Sequence, residues 1–129
     1  MNEGLVDVKK QKACETELLR TIKFIQDNNQ NGFVYGAVTK DQIAHALITS
    51  AFVDIEGLGF EIFASGGIDM KEGKPEQGSE RYEIVSDKVL KVAQRYLDSL
   101  VEKGALIPEE IAHLNDGNVL MHYWVNPKA

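Results

Sequence analysis

The chain has 129 residues, 43% hydrophobic and 26% charged, with a formal net charge of −6 and a single cysteine. That length and balance suit one domain, residues 1–129, around one modest core, and they exclude wholesale disorder. One cysteine excludes an intramolecular disulfide and fits a reducing, cytoplasmic setting; no apolar run approaches the roughly 20 residues of a membrane helix, and the first residues lack the pattern of a secretory leader.

Residues 1–13 read as a polar lead-in that frays. From Glu15 to Asn29, Leu18, Leu19, Ile22 and Ile25 recur at helical spacing and predict a first helix. The breaker run Asn28-Asn29-Gln30-Asn31-Gly32 ends it. Phe33-Val34-Tyr35 and Ala37-Val38, around Gly36, read as one short strand. Thr39-Lys40-Asp41-Gln42 is a capping box: the Thr hydroxyl accepts from the third helical amide while the Gln side chain reaches back. A second helix follows through Ile43, Ala44, Leu47 and Ile48. Ala51 and Ile55 keep its period, and Gly57 and Gly59 are its stop.

Phe60 to Phe63 and Arg81 to Val85 both alternate like short strands. Between them Ser65 to Ser79 holds four glycines, Pro75 and five charges, the composition of a solvated loop. A hairpin with a long tip is the expected arrangement; separate irregular segments are the alternative.

Ser86 to Gly104 then reads as one amphipathic helix. Val89, Val92, Ala93, Tyr96, Leu97, Leu100 and Val101 form its apolar face. Ser86 is the expected cap, Asp87 faces the positive helix end, and Lys103-Gly104 is the stop. Lys88, Lys91 and Arg95 fall within about 60° of one another, off the apolar face. Asp98 and Glu102 make the second half acidic. Ala105-Leu106-Ile107 leaves as a strand, and Pro108 suits an edge position. Ile111 to Leu114 reads as a further piece of strand. Asn115-Asp116-Gly117-Asn118 is a turn, and Val119 to Val125 is the clearest strand, stopped by Asn126-Pro127.

This order, carried by GFVYGAVTKDQIAHAL, VLKVAQRYLDSLVEKGALI and DGNVLMHYWVNP, resembles the winged helix-turn-helix domains of bacterial, archaeal and phage DNA-binding proteins. Leu97, Leu100, Gly104, Leu106 and Ile107 match the family's end of the third helix. The closing Tyr-Trp-Val-Asn-Pro is similar to the wing end of some plasmid replication proteins. The resemblance implies an α+β fold: a three-helix core with a C-terminal β-hairpin wing. It departs from the family at residues 50–85, an acidic insertion between the second and third helices. Residues 32–80 carry eight acidic and three basic groups, so most of the excess negative charge lies there. A rival register makes Thr39 to Leu58 a compact helix-turn-helix, but its reading helix would offer DNA Asp54 and Glu56 and no cation.

The resemblance implies double-stranded DNA as partner, with the Ser86 helix in the major groove. Lys88, Lys91 and Arg95 would contact phosphates or guanine edges, Gln94 would read a base, and Asn115 and Asn118 at the wing tip would sit near a flanking groove. It also implies a homodimer. Regulator, replication factor and segregation factor all stay open. The competing expectation is a protein-interaction winged helix that uses the acidic insertion and leaves DNA untouched. An enzyme ranks below both. His45, His113 and His122 lack metal-ligand spacing, Ser65-Gly66-Gly67 is not followed by Lys-Ser/Thr, no acid–base pair stands out, and no cofactor is expected. Cys14, with no basic pocket around it in sequence, reads as an inert thiol.

Overall fold

A computed structural model describes residues 2–28, 37–53, 58–112, 117 and 119–128, without the side chains of 2–8, 51, 53, 60, 63 and 70. The elements are α1 (Asn2–Asn28), β1 (Val38–Thr39), α2 (Lys40–Val53), α3 (Leu58–Gly66), a 3₁₀ turn (Met70–Glu72), α4 (Glu80–Glu102), β2 (Leu106–Ala112) and β3 (Val119–Val125). The fold is α+β: four α-helices and one antiparallel sheet of order β1-β3-β2 among the described residues. The expected core of three helices is therefore one of four. No described helix is long and apolar enough to cross a membrane.

The expected lead-in at 1–13 is helical from Asn2. Cys14 explains part of this: it lies one turn before Leu18 and two before Ile22, and all three are buried on one stripe. Leu19 and Ile25 flank that stripe. The strand expected at 33–36 lies outside the described residues, but Val38 and Thr39 pair with Tyr123 and His122. The capping box forms in both directions: Gln42 N donates to Thr39 Oγ1 and Thr39 N to Gln42 Oε1, each at 3.1 Å.

Residues 50–85 hold no hairpin among the described residues. Phe60–Phe63 lies in α3, and Gly59, expected as a stop, is buried inside it. Arg81–Val85 is the start of α4. The cap is Ser79, not Ser86: its side chain accepts from Tyr82 N, and its backbone is extended at φ −79, ψ 160. Helical spacing wins because Val85 is buried one turn before Val89, followed by Ala93, Tyr96, Leu97 and Leu100. The loop before α4 is largely exposed, yet Arg81 grips it, donating to the Glu72 and Gly73 carbonyls and pairing with the Glu72 carboxylate at 3.0 Å.

The end of α4 is the expected one. Gly104 adopts φ +79, with Gly104 N on Val101 O and Ala105 N on Leu100 O, so two otherwise orphaned carbonyls are satisfied. The chain then enters β2, which pairs with β3 from Leu106↔Val125 to Ala112↔Val119. Pro108 sits on the outer strand, where its missing N–H breaks no ladder within the sheet. Tyr123 faces the core, while Trp124 points the other way and donates to Glu109 Oε2 at 2.7 Å.

Side chains from α1 tie the layers together. Glu15 pairs with Lys103 at 2.6 Å, and Gln26 Oε1 accepts from Val125 N at 2.8 Å. Glu17 Oε2 accepts from Leu58 N at the start of α3. The added helix is thus capped by a carboxylate from a different element.

Candidate nucleic-acid interface

Ser79 moves the start of α4 upstream, and this changes what precedes the cations. Glu80, Glu83 and Asp87 are exposed in its opening turns. Lys88, Lys91 and Arg95 come after them, and Asp98 and Glu102 follow. The basic stripe is flanked by acid at both ends.

The three cations converge on a cleft of about 470 Å³ between α4 and the C-terminal end of α3, with Ser65, Gly66 and Val92 completing its walls. Lys88 Nζ donates to Gly67 O at 3.2 Å. A cation there complements the negative end of α3. Arg95 leans across its neighbour: its guanidinium carbon lies 4.6 Å from the Tyr96 ring centroid, and it donates to the Tyr96 hydroxyl. Its Nη2 also meets Glu61 Oε1 at 3.4 Å. The Tyr96 hydroxyl, and Glu61 beyond it, hold the guanidinium pKa above its usual value. Lys91 makes no hydrogen bond or ion pair among the described residues and is exposed.

Glu61 is the residue that sequence reasoning missed. It is only 7% exposed and sits within a run of apolar neighbours. Its carboxylate takes Lys10 Nζ at 2.6 Å and the Ser65 hydroxyl at 2.7 Å, besides Arg95. The hydrogen bond from Lys10 is the main reason its pKa is lowered; Ser65 adds to this, and burial opposes it. The available signal was an acid between Phe60 and Ile62, because a buried carboxylate needs a cation.

Gln94 does not line this cleft. Its amide donates to Asp98 Oδ1 at 2.7 Å, and it lies beside the Tyr123 hydroxyl. It is therefore not grouped with the three cations. Asn115 and Asn118 lie outside the described residues; Gly117 between them has φ +71, as a tight turn requires. His113 is also outside them, and His122 is buried opposite Glu109 with Nδ1 3.0 Å from Leu120 O. Cys14 is buried, and burial pushes its thiol pKa up. Among the described residues no group of three or more His, Cys, Asp or Glu is placed to hold a metal ion.

Comparison of the chain with protein-family models, with curated proteins and with solved structures finds no match.

Proposed function

We propose that the chain is a winged-helix protein that binds double-stranded DNA through α4 and the cleft beside it. The observation that carries this reading is the convergence of Lys88, Lys91 and Arg95 on one open cleft of the helix that leads into the β2–β3 hairpin. The element order supports it: a short strand, a capped helix, a long amphipathic helix and a hairpin, with the first strand pairing with the last. In this reading α3 is an extra helix beside α4, and the hairpin is the wing.

The chemistry favours phosphate contact over base reading. Lys and Arg neutralise backbone charge, whereas Gln94, the one candidate base reader on α4, is held by Asp98. Exposed Glu80, Glu83 and Asp87 repel the backbone and confine the contact to the middle of the helix. Two copies side by side would double a contact that is small in one copy.

The test is fluorescence anisotropy with a labelled mixed-sequence duplex. Three phosphate contacts give a log–log salt slope of about −2.7. Lys91→Glu is the variant of choice, because Arg95→Glu would also set a second carboxylate against Glu61. A duplex affinity unchanged in Lys91→Glu, with an unchanged melting temperature, would sink the assignment.

A second reading has its own observation. Ile84 is 50% exposed on α4, with Glu80 and Asp87 to one side and Arg81 and Lys88 to the other. An exposed apolar residue between charges of both signs suits a protein partner better than a phosphate backbone. No salt-sensitive retention on a DNA column would favour that reading.

A further inference from the structure

We infer that the cleft between α2 and the first half of α4 is a binding site for a small organic cation, an amine carried on an apolar body. The inference does not depend on DNA binding, because this cleft uses the other flank of α4. Its volume is about 610 Å³, larger than that of the basic cleft and within the range of small-ligand sites.

The walls specify the charge. Asp41, Glu83 and Asp87 line the cleft, and among the described residues no lysine or arginine does. Asp41 and Glu83 lie in the first turns of α2 and α4, where each offsets a positive helix end. Asp87 lies beyond the first turn of α4 and is exposed. The floor is apolar, from Ile25, Ala44 and Leu90. A bare metal ion would need converging carboxylates, and no such metal-binding group exists among the described residues. Separated carboxylates above an apolar floor fit a diffuse cation with a hydrocarbon body.

One polar contact shapes the same space. The Tyr82 hydroxyl is 2.8 Å from His45 Nδ1, which fixes the aromatic ring at the wall of the cleft. An ammonium group over that ring gains cation–π attraction. Ser86 Oγ, beside the Tyr82 hydroxyl, is shielded from solvent and belongs to the wall rather than to the open space.

The experiment is a titration of the full chain, followed by amide NMR, with phenethylamine and with its near-isostere 3-phenylpropionate. Phenethylamine is expected to give saturable shifts at Gln42, His45, Tyr82 and Glu83, and 3-phenylpropionate none. Asp87→Asn should weaken the amine about fivefold, the scale of one partly exposed ion pair. Glu83→Gln should act in the same direction, and both variants should keep the wild-type spectrum elsewhere. Absence of saturable shifts, equal binding of the carboxylate, or undiminished affinity in both folded variants would overturn the inference. So would a blocked lysine peptide that binds the cleft more tightly than phenethylamine, because the site would then be a docking point for a protein.

Discussion

Arg95 Nη2 and Glu61 Oε1 lie 3.4 Å apart across the joint between α4 and α3. The last cation of the basic stripe is therefore also a structural one. Any phosphate that recruits Arg95 competes with a carboxylate already beside it.

Glu61→Gln should separate the two roles. The amide keeps the volume and the Ser65 contact, but Lys10 and Arg95 lose their counter-charge. Both cations are about half exposed and can turn to water. The expected loss of stability is about 1–2 kcal/mol, read by chemical denaturation. Duplex affinity should rise a few-fold as Arg95 is released. Affinity that does not rise would take Arg95 out of the interface.

Acid should weaken the fold through two carboxylates. Lys10, then Ser65, depress the Glu61 pKa. Burial alone would raise that of Glu15, but hydrogen bonds from Lys103, Ser99 and Gln11 outweigh it and bring it below 4.5. Both groups hold their protons less tightly folded than unfolded. Their stabilisation is thus full above the unfolded pKa and is lost as pH falls through the folded one. Denaturation midpoints should drop below about pH 4.5. The drop should be shallower in a Glu15→Gln, Glu61→Gln double variant.

Alkali should act through Tyr96. Burial raises its pKa from 10.0 to about 12, against the opposing hydrogen bond from Arg95. The unfolded chain ionises this phenol first. Stability is therefore fully present below pH 10 and is lost as pH rises towards 12. Tyr96→Phe should lessen that loss, at a cost of about 1 kcal/mol near neutrality from the missing hydroxyl contacts. An unchanged alkaline limb in Tyr96→Phe would assign it to other groups.

Glu17→Ala should loosen α3 selectively. The Glu17 carboxylate accepts Leu58 N at 2.5 Å, at the end of the helix where a negative charge is favourable. Loss of such a cap costs about 1 kcal/mol. Faster hydrogen exchange should appear in α3 before it appears in α4. Glu17→Gln keeps an acceptor and should lie between. Uniform acceleration across the chain would mean that α3 does not open on its own.

Where the sequence was readable, a local rule and tertiary packing agreed. Thr39 and Gln42 cap α2 as their spacing requires, and Lys103-Gly104 stops α4 where it should. The terminal hairpin followed from a turn between two β-rich runs. Phe60–Phe63 and Arg81–Val85 misled because four or five residues satisfy both periods, and only distant partners decide between them. Leu58 and Ile62 are buried one turn apart, which settles α3 as a helix. Ser79 and Ser86 are both serines ahead of acidic residues; burial of Val85 selects the earlier one. The three cations were legible as one stripe of a helix. Their link to Glu61 was not, because 34 residues separate Arg95 from it and no local rule joins them.

The outer strand β2 carries Pro108, then Glu109 and Glu110, along its free margin. A proline lacks the amide needed to recruit another backbone, and paired like charges repel an identical strand. The β2 edge is in this way guarded against cross-chain β-addition. Self-association through the β2 edge is disfavoured for the same two reasons.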